Sequence, residues 1–151
     1  MNTESIPTKR QWGEIALDDL DINAAYKDFF GKSINEMNIQ YYRCVIEMAY
    51  SLSLLPTEPF RYYMKGFANF VSSELFHKMN AADTASVFLN LVQDKLENKP
   101  KDIAPLMEDI SAVVENIANK QSCYDADIDI YGDFREKAGT IKAIWSMHRC
   151  S

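Results

Sequence analysis

Between Ser33 and Pro56 the chain places apolar residues at Met37, Tyr41, Val45, Met48, Leu52 and Leu55, in steps of three and four. That period lines them along one side of an α-helix, whereas a half-buried strand needs strict alternation. The segment is bracketed by its own punctuation. Ser33 followed by Glu36 is a capping-box pattern, in which each side chain satisfies a backbone N–H of the first turn, and Pro56 stops the run. A helix this long with one apolar stripe must bury that stripe against other elements, so the rest of the chain has to supply partners.

The flanking sequence supplies them in the same form. A shorter helix is predicted from Asp18 to Phe30, with acids at its positive end and Gly31 as its stop. After Pro56, Thr57-Glu58-Pro59 starts another, whose inner face holds Phe60, Tyr63, Met64, Phe67, Val71 and Leu75. The turn Asn80 to Asp83 leads into a helix with Asp83 as N-cap and Phe88, Leu89, Val92 and Leu96 inside, ended by Asn98-Lys99-Pro100. Asp102 is the expected cap of the next, with Pro105 in its first turn and Ile103, Leu106, Met107, Ile110, Val113, Val114 and Ile117 at helical spacing. A last helix spans Asp133 to His148, carrying Phe134, Ala138, Ile141 and Trp145 on one side and Gly139 as a weak point. The sum is an all-α, single-domain bundle of about six helices with short connections, leaving room for repeat-like stacking of helix pairs. Residues 1–11 read as a flexible arm and residues 12–151 as the helical domain, with Trp12, Ile15, Leu17 and Leu20 as anchors.

Composition removes several classes of function. With 151 residues, of which 47% are hydrophobic, the chain can build a core without disulfides or a structural metal. A net charge of −6 speaks against a general nucleic-acid binder, which needs a basic face. No apolar run approaches the length of a membrane span. Met1-Asn2-Thr3-Glu4-Ser5 lacks the basic stretch and apolar core of a secretory signal, and Cys44, Cys123 and Cys150 are odd in number and far apart. These features set the expectation of a cytoplasmic protein with reduced thiols.

No motif announces a reaction or asks for a cofactor. Phosphate-cradling glycine loops and the nucleophile elbow are absent, and His77 and His148 stand alone in different helices, where histidine commonly serves as a helix-end partner. Arg61, Tyr62 and Tyr63 form an aromatic run that suits either core packing, with Arg61 paired to a carboxylate, or a small-enzyme pocket. From Asp125 to Glu136, carboxylates fall at the first, third, fifth, ninth and twelfth positions of a calcium loop. The sixth position, where that loop requires glycine, is Ile130, and the usual apolar residue two places later is Gly132. A calcium-responsive helical module therefore stands as one alternative, and an acidic turn capping the last helix or facing a partner as the other.

Charge distribution is more informative. Asp102, Glu108, Asp109, Glu115, Asp125, Asp127, Asp129, Asp133 and Glu136 stand against Lys120 and Arg135, a local charge of −7 that leaves +1 for the remainder. Such a face serves solubility, or docks a basic protein by charge complementarity. Pro59-Phe60-Arg61-Tyr62-Tyr63-Met64 together with Asp129-Ile130-Tyr131-Gly132-Asp133-Phe134-Arg135 resembles small bacterial α-helical immunity proteins of contact-dependent growth inhibition and related polymorphic toxin systems. The resemblance implies a non-enzymatic cytoplasmic protein that binds and neutralises a cognate toxin domain, often a basic nuclease. On that reading Asp125, Asp127, Asp129, Asp133 and Glu136 stand in for phosphate charge, and Glu108, Asp109 and Glu115 extend the patch. No direct nucleic-acid, membrane or metal contact is expected.

Overall fold

The computed structural model describes residues 5–149, so Cys150 and the first four residues of the N-terminal arm lie outside the described residues. The elements are α1 (Lys9–Trp12), α2 (Leu20–Phe29), α3 (Ile34–Ser53), α4 (Thr57–Ser72), α5 (Ala81–Asn98), α6 (Pro100–Ile103), α7 (Met107–Ala118), α8 (Ile128–Tyr131) and α9 (Phe134–Arg149), with short 3-10 turns between some of them. Six of these helices run ten residues or more, as the apolar periodicity predicts, and no strand occurs among the described residues.

Local chemistry explains most boundaries. In α3 the Ser33 hydroxyl accepts from the Glu36 N–H and the Glu36 carboxylate accepts from the Ser33 N–H, closing the capping box. Asp19 caps α2 by accepting from the N–H groups of Asp21 and Ile22. The whole predicted stripe of α3, from Met37 to Leu55, is buried. Within α3 the backbone at Cys44 leaves helical geometry at φ −152° and ψ 66°, which kinks the helix. Its outer side keeps Ile39, Tyr42, Ile46 and Tyr50 exposed.

Several boundaries differ from the sequence reading. Helix α5 begins at Ala81, ahead of Asp83, so Asp83 is a first-turn residue and not the N-cap; its carboxylate instead accepts from the Tyr131 hydroxyl at 2.9 Å. Asp102 does not cap the following helix either. It is drawn into the core, and Pro105 helps split the expected single helix into α6, a 3-10 turn and α7, because proline supplies no N–H to the ladder. Leu75 lies beyond the end of α4 and is 44% exposed, while Leu17 and Leu20 are exposed and anchor nothing. The packed part of the N-terminal arm starts at the buried Pro7. Thr8 and Gln11 form a capping box around α1, and Trp12 meets Tyr26 and Phe30 edge-on at 5.1 and 6.0 Å.

Helix α3 packs on α4 and α5, α9 packs on α5 and α7, and α4 touches α7. Helix α5 is central, packed on both α3 and α9. The core between the helices is aromatic: Phe29, Tyr41, Phe60, Tyr63, Phe67, Phe70, Phe88 and Phe134 are fully buried. Each such ring contributes about 1.5–3 kcal/mol on leaving water. Gly66 lets α3 and α4 approach, since a Cβ there would lie 2.5 Å from Cδ1 of Ile34. Tyr63 donates its hydroxyl to the carbonyls of Phe29 and Lys32, satisfying the end of α2, and burial raises its pKa above the ordinary 10.0. Among the described residues no helix is long and apolar enough to cross a membrane.

Candidate functional site

The acidic third of the chain folds into three different environments. Asp102 sits at the corner where α4, α5 and α6 meet. One of its carboxylate oxygens accepts from the Thr57 hydroxyl at 2.8 Å and the other lies 3.4 Å from the Lys95 ammonium. That ammonium is buried and rests 4.4 Å from the centroid of the Phe60 ring. Desolvation lowers the Lys95 pKa from its ordinary 10.5, and the Asp102 charge opposes the fall. Arg61 reinforces the corner by donating to the backbone carbonyls of Asp102 and Lys101, and pairs with Glu58 at 3.4 Å. Of the run Arg61, Tyr62 and Tyr63, Arg61 and Tyr63 hold helices together, while Arg61 and Tyr62 also line a surface depression with Glu58, Lys65 and Pro105.

The second environment is the turn from Lys120 to Asp133, built around one side chain. Gln121 donates to the carbonyls of Ala126 and Gly132 at 3.1 and 2.7 Å and accepts from the Phe134 N–H at 2.8 Å. Tyr124 and Ala126 are buried beneath it, and the Tyr131 hydroxyl fastens its outer edge to Asp83 on α5. Gly132, with φ +80°, makes the bend into α9. On this pinned turn Asp125, Asp127 and Asp129 are exposed, and so are Ile128 at 58% and Ile130 at 74%. Glu136 is exposed in the first turn of α9, and Asp133 is half-buried, accepting from the Arg135 N–H.

The turn does not have the geometry of a calcium loop. Residues 128–131 are helical where that loop would wrap an ion, Asp127 is occupied in capping the N–H of Asp129, and the turn glycine stands at the eighth position. Among the described residues no group of three or more His, Cys, Asp or Glu side chains is placed to hold a metal ion. Both histidines bond to backbone: His77 accepts from the Met79 N–H through Nδ1, and Nε2 of His148 donates to the Leu96 carbonyl at 3.0 Å. Cys44 donates weakly to the Gln40 carbonyl, and burial raises its thiol pKa, as do Glu47 and Asp28, which leaves it a poor nucleophile.

The third environment separates the α7 acids from the rest. Glu108 and Glu115 face α9 across a cleft of about 520 Å³ whose other wall carries Lys142 and Arg149 and whose floor is Val114, Ala138, Ile141 and Trp145. They therefore extend a mixed-charge cleft, not the acidic patch, while Asp109 is exposed outside that cleft. Sequence reasoning passed over Gln121, Lys142 and Arg149. The seven-residue spacings Glu108 to Glu115 and Lys142 to Arg149 were the available signal, since seven residues return to the same edge of a helix. None of the eight predicted acids forms an ion pair among the described residues. No protein family, curated protein or solved structure matches the chain.

Proposed function

We propose that the protein is a non-enzymatic inhibitor that binds and neutralises a cognate, basic toxin domain in the cytoplasm, using the turn at Asp125 to Asp133 and neighbouring Glu136 as its docking surface. The carrying observation is the run Asp127-Ile128-Asp129-Ile130. It alternates two exposed carboxylates with two exposed isoleucines, on a turn held by Gln121 and Tyr131. Exposed apolar side chains rimmed by charge favour association, because the apolar atoms gain from losing water while the charges steer and orient the partner. A pre-ordered turn also binds without paying for its own immobilisation. Solubility alone accounts for the carboxylates but not for the isoleucines among them.

The test is co-purification with the protein encoded beside this gene, at low and high salt. A complex that forms at low salt and associates more slowly when Asp129→Lys is introduced supports the reading. No complex at either salt overturns it. Unchanged association for Asp129→Lys combined with Asp127→Asn, which keeps the cap oxygen, removes this turn from the interface.

A further inference from the structure

The cleft between α7 and α9 is not a closed cavity but a channel along the helix pair. A second depression, lined also by Ala118, Asn119, Gly139 and Arg135, shares Glu115, Ala138 and Lys142 with it, so the two adjoin along the helix pair. From Glu108 to Asn119 they span roughly 16 Å, or three helical turns, at 1.5 Å per residue. Its walls are charged in register. Glu108 and Glu115 repeat every two turns along α7, and Arg135, Lys142 and Arg149 repeat every two turns along α9. Among the described residues none of these five side chains is ion-paired, so the two rails stand apart across an apolar floor. Trp145 is half-buried in that floor, and a Cβ on Gly139 would meet nothing within 4 Å.

We propose that this channel receives one amphipathic α-helix of a protein partner, apolar on the side that enters, basic along the edge beside α7 and acidic along the edge beside α9. Charge complementarity chooses this occupant: two carboxylates set two turns apart on one rail and three cations at the same interval on the other match the period of a helix, not the single point contacts of a small ligand. Ala138 and the exposed Gly139 leave room at the Arg135 end for a helix to approach α9 closely, while Val114, Ile141 and Trp145 offer it apolar contact. Turning a helix end for end exchanges its edges, so the split charge also fixes the direction in which the guest runs. The inference rests on the protein-binding reading above only in taking the occupant to be a protein, and it uses a different set of residues.

Three synthetic helical peptides with one leucine stripe test it by fluorescence anisotropy: one with lysine on one edge and glutamate on the other, one with lysine on both, one with glutamate on both. The split-edge peptide is expected to bind roughly tenfold tighter than either uniform peptide, since each of those meets one rail with like charge. Lys142→Glu with Arg149→Glu should transfer the preference to the all-lysine peptide. Gly139→Trp, which fills the channel at an exposed helical glycine where a larger residue is compatible with folding, should weaken the split-edge peptide at least about tenfold. Equal binding of the three peptides, no split-edge binding at about 100 µM, or indifference to Gly139→Trp overturns the proposal. A concentration-dependent dimer that Gly139→Trp abolishes overturns it as well, by giving the channel to a second copy. Peptide binding that survives Asp129→Lys while the neighbouring gene product fails to bind leaves the channel standing and removes the inhibitor reading; the opposite result removes the channel alone.

Discussion

Asp102 and Asp129 belong to the same acidic third of the chain and carry the same charge, yet the fold uses them in opposite ways. Asp102 is withdrawn to the corner of α4, α5 and α6, where Thr57 and Lys95 answer both oxygens. Asp129 stands exposed on a turn whose own hydrogen bonds are made by Gln121, Asp127 and Tyr131. Charge counted along a sequence therefore overstates charge offered to a partner. A buried carboxylate is committed by the cost of desolvation, whereas an exposed one keeps its water and is free to exchange it for another protein's cations.

The sharpest way to break this contrast is to remove the buried carboxylate. Asp102→Ala strands the Lys95 ammonium and should cost about 3–5 kcal/mol in denaturant unfolding. Adding Lys95→Met to it should recover much of the loss, because an apolar side chain needs no partner. A loss below about 1 kcal/mol for Asp102→Ala would place that corner with the exposed acids. Next comes the scaffold of the turn: Gln121→Ala removes three hydrogen bonds and should cost about 2 kcal/mol, with faster amide exchange confined to residues near 126–134.

The pH dependence distinguishes the two regions in a smaller way. Lys95 has a folded pKa below its ordinary 10.5, so over that interval the unfolded chain binds the proton more strongly and stability rises with pH. The difference in unfolding free energy between the wild type and Lys95→Met should grow in favour of the wild type as pH approaches 10.5. A flat difference would show that Asp102 fully offsets the burial of the ammonium. The smallest expected change in stability is at the exposed turn, where Asp129→Lys should stay within about 0.5 kcal/mol while altering the association rate.

Much of the fold is legible along the chain, and the reasons are local. Ser33 and Glu36, Gly31 and Pro56 act on backbone groups within a few residues, so their signals survive without any knowledge of neighbours. The same holds for the inner faces of α3 and α4, where a three-and-four period can be buried only on one side. Asp83 and Asp102 depart from the capping role their sequence suggests for the opposite reason. Each is a good capping residue, but Tyr131 lies 48 positions from Asp83, and Thr57 lies 45 from Asp102. Long-range partners of this kind outweigh local preference.

Of the candidate site, the carboxylates themselves were readable and their grouping was not. Asp125, Asp127 and Asp129 remain together because one short turn carries them. Glu108 and Glu115 part from them because α7 presents those two positions to α9, whose Lys142 and Arg149 are far away in sequence. The amino-acid sequence by itself determined where helices start and stop and which of their faces are apolar, since capping and periodicity act within a few turns of backbone. Only the tertiary structure decided which charges are buried, which face water and which line a common channel. Those properties depend on the desolvation and spacing of side chains that meet only after the helices have packed.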